Sequence, residues 1–279
     1  MKKLLITAAL ASSCIFAGAQ DMMSKRGTPI LPEAGDWSIG ADATSLIQYF
    51  GNLFTDANNN NSSLNSQLPQ TLVGLYVVDA NTAYRAKLRI GFATQTLNNI
   101  VDDNSTTTEF VTVTDELKIS NTNITLGAGL QKSRGKGRLH GIYGAEIGFG
   151  IGSHKDTYSY GNSITTTNPG PTSTTDWTNL PNGGTNPTTR TTESKTGSTF
   201  SINLNAFIGA EYFFAPKMSL SAEYGWGLLF SSTGEGEMSS ERLNAGGTAV
   251  ESFDTPTGKS SNMSVDVADI GSIVLHFYF

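Results

Sequence analysis

Histidines beside serines and carboxylates are the residues of this chain whose types and spacing could support catalysis. The clearest case is His154, in the stretch Gly152-Ser153-His154-Lys155-Asp156. A Ser/His/acid set is the arrangement with which an acyl transferase or a lipase activates a serine for attack on an ester. The sequence has no G-x-S-x-G motif, however, and a polar surface loop readily contains these residue types by chance. We therefore predict no catalytic residue and no enzyme activity.

The other histidines and one acidic cluster are the remaining candidate ligands for a metal. His140 and His276 lie within runs of alternating residues, so we expect them in a hydrogen-bond network inside the fold rather than on a metal ion. Asp102-Asp103-Asn104 offers oxygen ligands for Ca²⁺ but lacks the spacing of a recognised calcium loop. The sequence therefore predicts no metal ligands and no cofactor.

Charged side chains at alternate positions indicate a structural role. Arg85, Lys87 and Arg89 alternate with apolar residues, and acidic residues occupy similar positions in other runs. A period of two places the charges on one face of a β-strand and the apolar residues on the other. The whole set is Asp42, Arg85, Lys87, Arg89, Glu146, Glu211 and Glu223. A Lys or Arg facing hydrocarbon costs about 2–4 kcal/mol at the bilayer midplane, whereas charges inside a barrel can pair, so we predict an ionic network in a barrel interior.

About eight strands are needed to position these charges, and the stretch 264–279 gives the clearest one. From Gly271 onward, one face carries Ile273, Leu275, Phe277 and Phe279, and the other carries Val274, His276 and Tyr278. A soluble protein gains little from a strand that ends in Phe-Tyr-Phe, because an exposed apolar strand is prone to aggregate. The ending suits a closed barrel whose apolar face meets lipid.

The connections between the predicted strands alternate in length. Short turns lie near Asp79, Gly135 and Pro216, and long polar connections begin near residues 52, 98, 155 and 231. This alternation predicts an all-β, antiparallel up-and-down transmembrane β-barrel with short periplasmic turns and long extracellular loops. An interior enclosed by about eight strands is filled by side chains, so a large aqueous pore is not expected.

Two connections have a composition or spacing of their own. Residues 155–196 are dominated by Thr, Asn, Ser, Gly and Pro, so we expect a solvated or disordered loop without a core. Residues 45–54 have apolar residues at helical spacing, and a short helix and an irregular extension of the first strand fit them equally well. Polar loops are also expected at residues 98–115 and 231–262.

The first residues have the features of an export signal. Lys2 and Lys3 precede an apolar run, and Ala17-Gly18-Ala19 forms a cleavage site, so we assign a signal peptide to residues 1–19. A lipoprotein attached through Cys14 is the alternative. We assign a flexible periplasmic lead-in to residues 20–34 and the barrel domain to residues 35–279.

Charge and hydropathy exclude two further classes of protein. Cleavage would leave 16 Lys and Arg against 24 Asp and Glu, a net charge of −8, which argues against a nucleic-acid partner. Beyond the signal peptide, no run approaches the roughly 18 apolar residues of a membrane helix.

Two segments resemble a known family. EAGDWSIGADATSLIQYFGNLF at residues 33–54 and IGAEYFFAPKMSLSAEYGWGL at residues 208–228 are similar to Bacteroidota-type small outer-membrane β-barrel proteins of the porin-like or OmpX-like kind. The resemblance implies an outer-membrane location and this architecture but no defined activity. The last strand also resembles the terminal-Phe signal read by the barrel-assembly machinery, here Gly271, Ile273, Leu275, Phe277 and Phe279.

These observations together predict an integral protein of the cell outer membrane with a structural or surface-interaction role. Its expected partners are outer-membrane lipid, the assembly machinery, and a protein bound at the loops 52–67 and 155–196. A narrow diffusion channel is the alternative, and an outer-membrane lipid-modifying enzyme is a weaker one.

Overall fold

A computed structural model of the protein describes residues 23–24, 26–42, 71–104, 111–266 and 271–279, and every regular element in them is a β-strand. The strands are β1 Trp37–Asp42, β2 Thr71–Asp79, β3 Thr82–Asp102, β4 Thr112–Lys136, β5 Leu139–Ser159, β6 Thr189–Lys195, β7 Thr199–Ala215, β8 Met218–Thr233, β9 Gly236–Leu243, β10 Val250–Thr257, β11 Ser260–Asp266 and β12 Gly271–Tyr278. No helix in these residues is long and apolar enough to cross a membrane.

Eight of the strands close into a ring. The order around the ring is β1-β2-β3-β4-β5-β7-β8-β12, and every neighbouring pair is antiparallel. The ring closes where β1 pairs with β12, and the backbone N–H of Trp37 donates to Phe279 O at 3.0 Å while the Phe279 N–H donates to Trp37 O at 2.9 Å. The prediction of an all-β antiparallel barrel of about eight strands is therefore confirmed.

The connections alternate in length as predicted. Tight turns at residues 80–81, 137–138 and 216–217 join strands at one end of the ring, which we call the short-turn end. The longer connections lie at the opposite end, the long-connection end. Residues 1–19, 45–54 and 52–67, which carry the predicted signal peptide, the helix-or-strand segment and the first loop, lie outside the described residues.

Side-chain exposure alternates along the ring strands, with apolar residues outside and both charged residues and an apolar cluster inside. On β3, Leu88 and Ile90 are 36% and 48% exposed, whereas Arg85 is 3% exposed. The outward positions form an apolar belt that contains Trp37, Ile39, Leu72, Tyr84, Leu88, Ile90, Phe92, Leu126, Leu130, Leu139, Tyr143, Ile147, Phe149, Ile151, Phe200, Leu204, Ile208, Tyr212, Tyr224, Trp226, Leu228, Phe230 and Phe277. A continuous exposed apolar belt is the reverse of the surface of a soluble β-protein, whose strands bury their apolar face.

Three strands continue beyond the ring at the long-connection end. There β3, β4 and β5 are joined by β6, β9 and β10 in the order β10-β9-β6-β5-β4-β3, a sheet that we call the extension. The prediction of polar loops at residues 98–115, 155–196 and 231–262 is therefore wrong for the parts that are strand, which are 98–102, 112–115, 155–159, 189–195, 231–233, 236–243, 250–257 and 260–262. These strands are rich in Thr, Ser and Asn and pair through backbone hydrogen bonds. They lack the alternation of apolar residues that would predict a strand from the sequence.

The lead-in packs against the short-turn end of the ring. Ile30 is 1% exposed and lies in an apolar cluster, the base, with Val73, Leu75, Val77, Ala83, Phe213, Val274 and Tyr278. The Lys217 N–H donates to Ile30 O at 3.1 Å, and the Lys217 ammonium contacts the Asp36 carboxylate. Around Ile30 the lead-in is therefore packed against the ring, through one apolar side chain and the contacts of Lys217, without any periodic pattern in its sequence.

Candidate functional site

An ionic layer crosses the ring beside the base. Arg85 of β3 donates to both carboxylate oxygens of Glu223 on β8, at 2.8 and 2.6 Å. The Nε of Arg85 lies 3.3 Å from Glu146 Oε2, and Lys87 Nζ lies 2.6 Å from Glu146 Oε1. Since β3 and β8 lie on opposite sides of the ring, the pair spans the interior. Two cations and two anions thus form a neutral cluster inside the barrel.

Neutral groups complete the coordination of Arg85. Gln131 Oε1 accepts from Arg85 Nη1 at 2.8 Å, and the Phe207 ring centroid lies 4.4 Å from the guanidinium carbon. The Arg85 and Glu223 side chains are 0% and 1% exposed. Removing either partner of such a buried pair should strongly destabilise the fold, because the remaining charge would be buried without a partner or solvent.

The remaining predicted members of the network lie elsewhere. Glu211 is buried, and its carboxylate accepts from the Ser219 hydroxyl and, at 2.7 Å, from the Tyr278 hydroxyl. Arg89 lies on the inward face of β3 by register but is exposed. Asp42 pairs with Val274 along the backbone, and its side chain lies outside the described part of the structure. Of the seven predicted residues, the structure thus brings Arg85, Lys87, Glu146 and Glu223 into mutual contact.

The C-terminal residues predicted as an assembly signal lie along the outward face of β12. Ile273 and Leu275 pair with Ala222 and Leu220 of β8, and Phe277 pairs with Ile39 of β1. Phe277 and Phe279 are 46% and 67% exposed. Gly271 pairs with Tyr224 at the start of the strand.

His276 and His140 take structural positions. His276 is 1% exposed, and its Nδ1 lies 3.4 Å from the Ser38 hydroxyl. Its ring lies so close to Gly40 that a Cβ there would approach Nδ1 to 2.5 Å, which explains the glycine at this position of β1. The His140 ring packs edge-on against Phe213, with centroids 5.6 Å apart.

The structure does not assemble the Ser/His/acid set around His154. His154 Nε2 lies 3.2 Å from Asp156 Oδ1, and Nδ1 lies 2.7 Å from Asn121 Oδ1. Ser153 is the adjacent residue of β5 and therefore projects from the opposite face of the sheet. His154 lines a polar cavity of about 220 Å³ to which Ser153 and Ser201 also contribute, together with Asn123, Gly150, Ile151, Gly152, Thr196 and Thr199.

A second buried polar cluster lies on the inward face of the extension, beneath residues 160–188, which we call the cap. Asp115 of β4 is fully buried, and its Oδ1 accepts from the Gly161 N–H at 2.9 Å. Its Oδ2 accepts from the Thr174 N–H at 2.7 Å and from the Thr174 hydroxyl at 2.9 Å. Asn99 of β3 donates to Thr174 Oγ1 and to Asn182 O, both at 2.9 Å. The cap is therefore held by side-chain hydrogen bonds.

Arg190 of β6 fastens the other side of the cap. Its Nε donates to Glu241 Oε1 at 2.7 Å and its Nη1 to Ser173 Oγ at 2.8 Å. The guanidinium carbon lies 4.2 Å from the Tyr160 ring centroid. Burial raises the pKa of the Tyr160 hydroxyl above its ordinary value, although the charge of Arg190 acts in the opposite direction. Most residues of the cap are partly or fully exposed, as predicted for a solvated segment, but the prediction is wrong for the buried residues Asn162, Ile164 and 171–174.

Asp102-Asp103-Asn104 also serves the cap. Asp102 O accepts from Asn162 Nδ2 at 2.8 Å, and the Asn104 N–H donates to Asn162 Oδ1 at 2.9 Å. Within the described ranges of the chain, no three His, Cys, Asp or Glu side chains lie close enough together to hold a metal ion.

Comparison of the sequence with models of protein families and with curated proteins gives no match. The interpretation of the site rests on its geometry. Sequence reasoning missed Gln131, Ser219 and Tyr278 as partners of the buried charges, although their inward positions follow from the same alternation. It missed the cap cluster around Asp115 entirely.

Proposed function

We propose that this chain is an integral outer-membrane β-barrel protein with a structural or surface-interaction role and a barrel interior filled by side chains. The observation that supports this most directly is the reversed polarity of the ring. Outside lies the exposed apolar belt, and inside lie Arg85 and Glu223, fully desolvated and paired. In water such a belt would drive aggregation, whereas in a bilayer it would contact the lipid chains. The closed ring pairs the backbone N–H and C=O groups of neighbouring strands, so that none of them faces lipid unpaired.

The two ends of the ring support a definite orientation in the proposed membrane. Short turns in barrels of this class face the periplasm and long connections face the outside. The lead-in with Ile30 would then face the periplasm, and the extension with its cap would face the environment. Because the cap is fixed by buried hydrogen bonds around Asp115, it presents an ordered polar surface suited to a protein partner.

The contents of the ring argue against the alternative of a narrow diffusion channel. The base, with Ile30 and Phe213, and the ionic layer around Arg85 occupy the interior on the short-turn side. We expect purified protein in a planar bilayer to give no steady conductance steps. Regular steps of constant size would favour the channel instead.

The proposed membrane location is tested by placing a charge on the belt. Leu126 is 59% exposed on the outward face of β4, so Leu126→Arg would be nearly neutral in a water-soluble protein. In a bilayer it should cost about 2–4 kcal/mol of folding free energy, measured by urea unfolding in phospholipid vesicles. Ile100→Arg is the matched control, since Ile100 is 63% exposed on β3 beyond the ring and should tolerate the charge.

Two results would count against the proposal. One is equal stability of the Leu126→Arg and Ile100→Arg proteins. The other is recovery of the wild-type protein in the soluble periplasmic fraction, without the heat-dependent gel mobility of a closed barrel.

A further inference from the structure

The hairpin of β4 and β5 carries a group of cations at the short-turn end. Lys132, Arg134 and Lys136 occupy alternate positions of β4, and all three are exposed. Their positions continue the outward row of Leu126 and Leu130, because successive side chains of a strand alternate between its faces. The three cations therefore form a strip, which we call the basic strip, directly beyond Leu130 on β4 and beside the belt residues Tyr143 and Leu139 of β5.

Lys155 and Arg242 at the other end of the molecule are paired with carboxylates, whereas Lys118 and Lys195 there, like Arg134 and Lys136 of the basic strip, have no carboxylate within 4.0 Å among the described residues. Lys155 pairs with Glu193 at 2.7 Å and Arg242 pairs with Glu251 at 2.8 Å. Arg134 and Lys136 thus offer positive charge that the described part of the protein does not neutralise, whereas Lys132 interacts electrostatically with Asp79.

An aromatic and an aliphatic side chain of β5 flank the basic strip on one side. Lys132 pairs across the sheet with Tyr143, and its ammonium donates to Thr82 Oγ1 at 2.7 Å. Lys136 pairs with Leu139, which is 41% exposed. Amphipathic rings beside long cationic side chains are typical of the boundary between hydrocarbon and headgroups, where the cation reaches the polar layer and its stem covers apolar surface.

We propose that the basic strip binds the phosphate groups of anionic phospholipid headgroups in the leaflet next to the short turns. This inference rests on the proposed membrane location and identifies the lipid chemistry recognised there. The outward orientation of the three side chains favours lipid over a soluble periplasmic partner as the ligand. The side chains lie on the outward face, in line with Leu130, so a ligand that reaches them also lies against the belt. A polymer approaching from the solvent would meet only the tip of the turn at residues 137–138.

The experiment follows the strip directly by NMR. Isotope-labelled protein in zwitterionic detergent micelles is titrated with phosphatidylglycerol, and the amide signals of Gly135 and Gly137 report binding. We expect saturable shifts there, none at Gly246 and Gly247 in the opposite turn, and none with phosphatidylcholine. Each cation near an anionic surface contributes roughly a fivefold gain in affinity, so Arg134→Gln/Lys136→Gln should weaken binding about 30-fold.

The control variant is Lys118→Gln/Lys195→Gln, which removes the same charge from two exposed positions of the extension. It should bind phosphatidylglycerol like the wild type. Unchanged binding in Arg134→Gln/Lys136→Gln, or an equal loss in the control, would overturn the inference. If the double variant does not fold, the affinity of the wild type for phosphatidylglycerol must still decrease steeply between about 0.05 and 0.5 M salt, because salt screens the attraction between exposed charges.

The outcomes separate the inference from the proposed function. Protein that inserts into vesicles but shows no preference for phosphatidylglycerol would overturn the lipid site alone. Shifts of Gly135 and Gly137 with peptidoglycan fragments, and none with phosphatidylglycerol, would replace lipid by a periplasmic polymer as the ligand. Protein that does not insert at all would overturn both.

Discussion

The ionic layer of the ring and the cluster beneath the cap both bury polar groups, but they do so with different chemistry. In the ring, Arg85 and Glu223 come from opposite strands, and each neutralises the charge of the other. Beneath the cap, the Asp115 carboxylate has no cation as its partner in any described contact and is surrounded by the donors of Gly161 and Thr174. The first arrangement joins parts of the barrel wall, and the second fastens a loop to a sheet.

This difference predicts how far damage spreads from each cluster. A charge lost from the ring leaves its partner buried without solvent, so the whole wall should be affected. A carboxylate lost beneath the cap leaves neutral N–H and O–H groups that water can reach once the loop lifts. The ring should therefore respond as one cooperative unit and the cap as a local one.

The largest effect is expected from Arg85→Met. It leaves Glu223 without a cation and should lower the free energy of unfolding by about 3–5 kcal/mol, measured by urea unfolding in vesicles. The double change Arg85→Met/Glu223→Met removes both charges and should recover a large part of this loss. A single variant as stable as the wild type would show that the pair does not hold the wall together.

A smaller and local effect is expected from Asp115→Ala. It removes three hydrogen bonds to a charged acceptor and should cost the cap about 2–3 kcal/mol. Hydrogen exchange should accelerate at Gly161 and Thr174, while the unfolding midpoint of the barrel changes little. Asp254→Ala, which removes an exposed acceptor of Ser239, is the matched control. A large loss of global stability in Asp115→Ala would contradict the separation of the two regions.

The weakest effect is expected at Asp36, where the lead-in meets the ring. Burial acts to raise the pKa of Asp36, but the hydrogen bonds from Lys217 and from the Glu33 N–H outweigh it and lower this pKa below its ordinary value. A carboxylate whose pKa is lower in the folded state stabilises fully above the pKa of the unfolded chain, about 3.9, and loses its contribution as the pH falls through the folded value.

The corresponding measurement compares wild type with Asp36→Asn in thermal melts from pH 3 to pH 6. The wild type should be more stable by less than about 1 kcal/mol at pH 6, and this difference should become smaller as the pH falls towards 3. A constant difference across this range would show that Asp36 acts by packing rather than by charge.

The same contrast explains how much could be predicted from the sequence. The ring strands alternate strictly, so residues such as Leu88 and Arg85 could be assigned to opposite faces from the sequence alone. The partner of Arg85 could not be chosen among the predicted acids, because it depends on the stagger between strands that lie opposite each other. The structure of the cap could not be predicted from the sequence for another reason. Asp115, Thr174 and Arg190 follow no period and are linked only by hydrogen bonds between distant positions.

The lead-in shows a third limit. Ile30 is one apolar residue in a segment without a pattern, and only the shape of the base gives it a place. Prediction from a period succeeds where many residues repeat the same choice, and it fails where a single side chain decides.

The pairing of Trp37 with Phe279 has a consequence for biogenesis. Both residues lie at one end of the pairing between β1 and β12, the first and last strands of the ring, so a chain still being synthesised lacks the strand with which β1 must pair. Until the last strand is available, the ring is open and its apolar outer face would favour aggregation. For a chain exported as proposed, closure of the barrel must therefore follow the synthesis and export of the last strand.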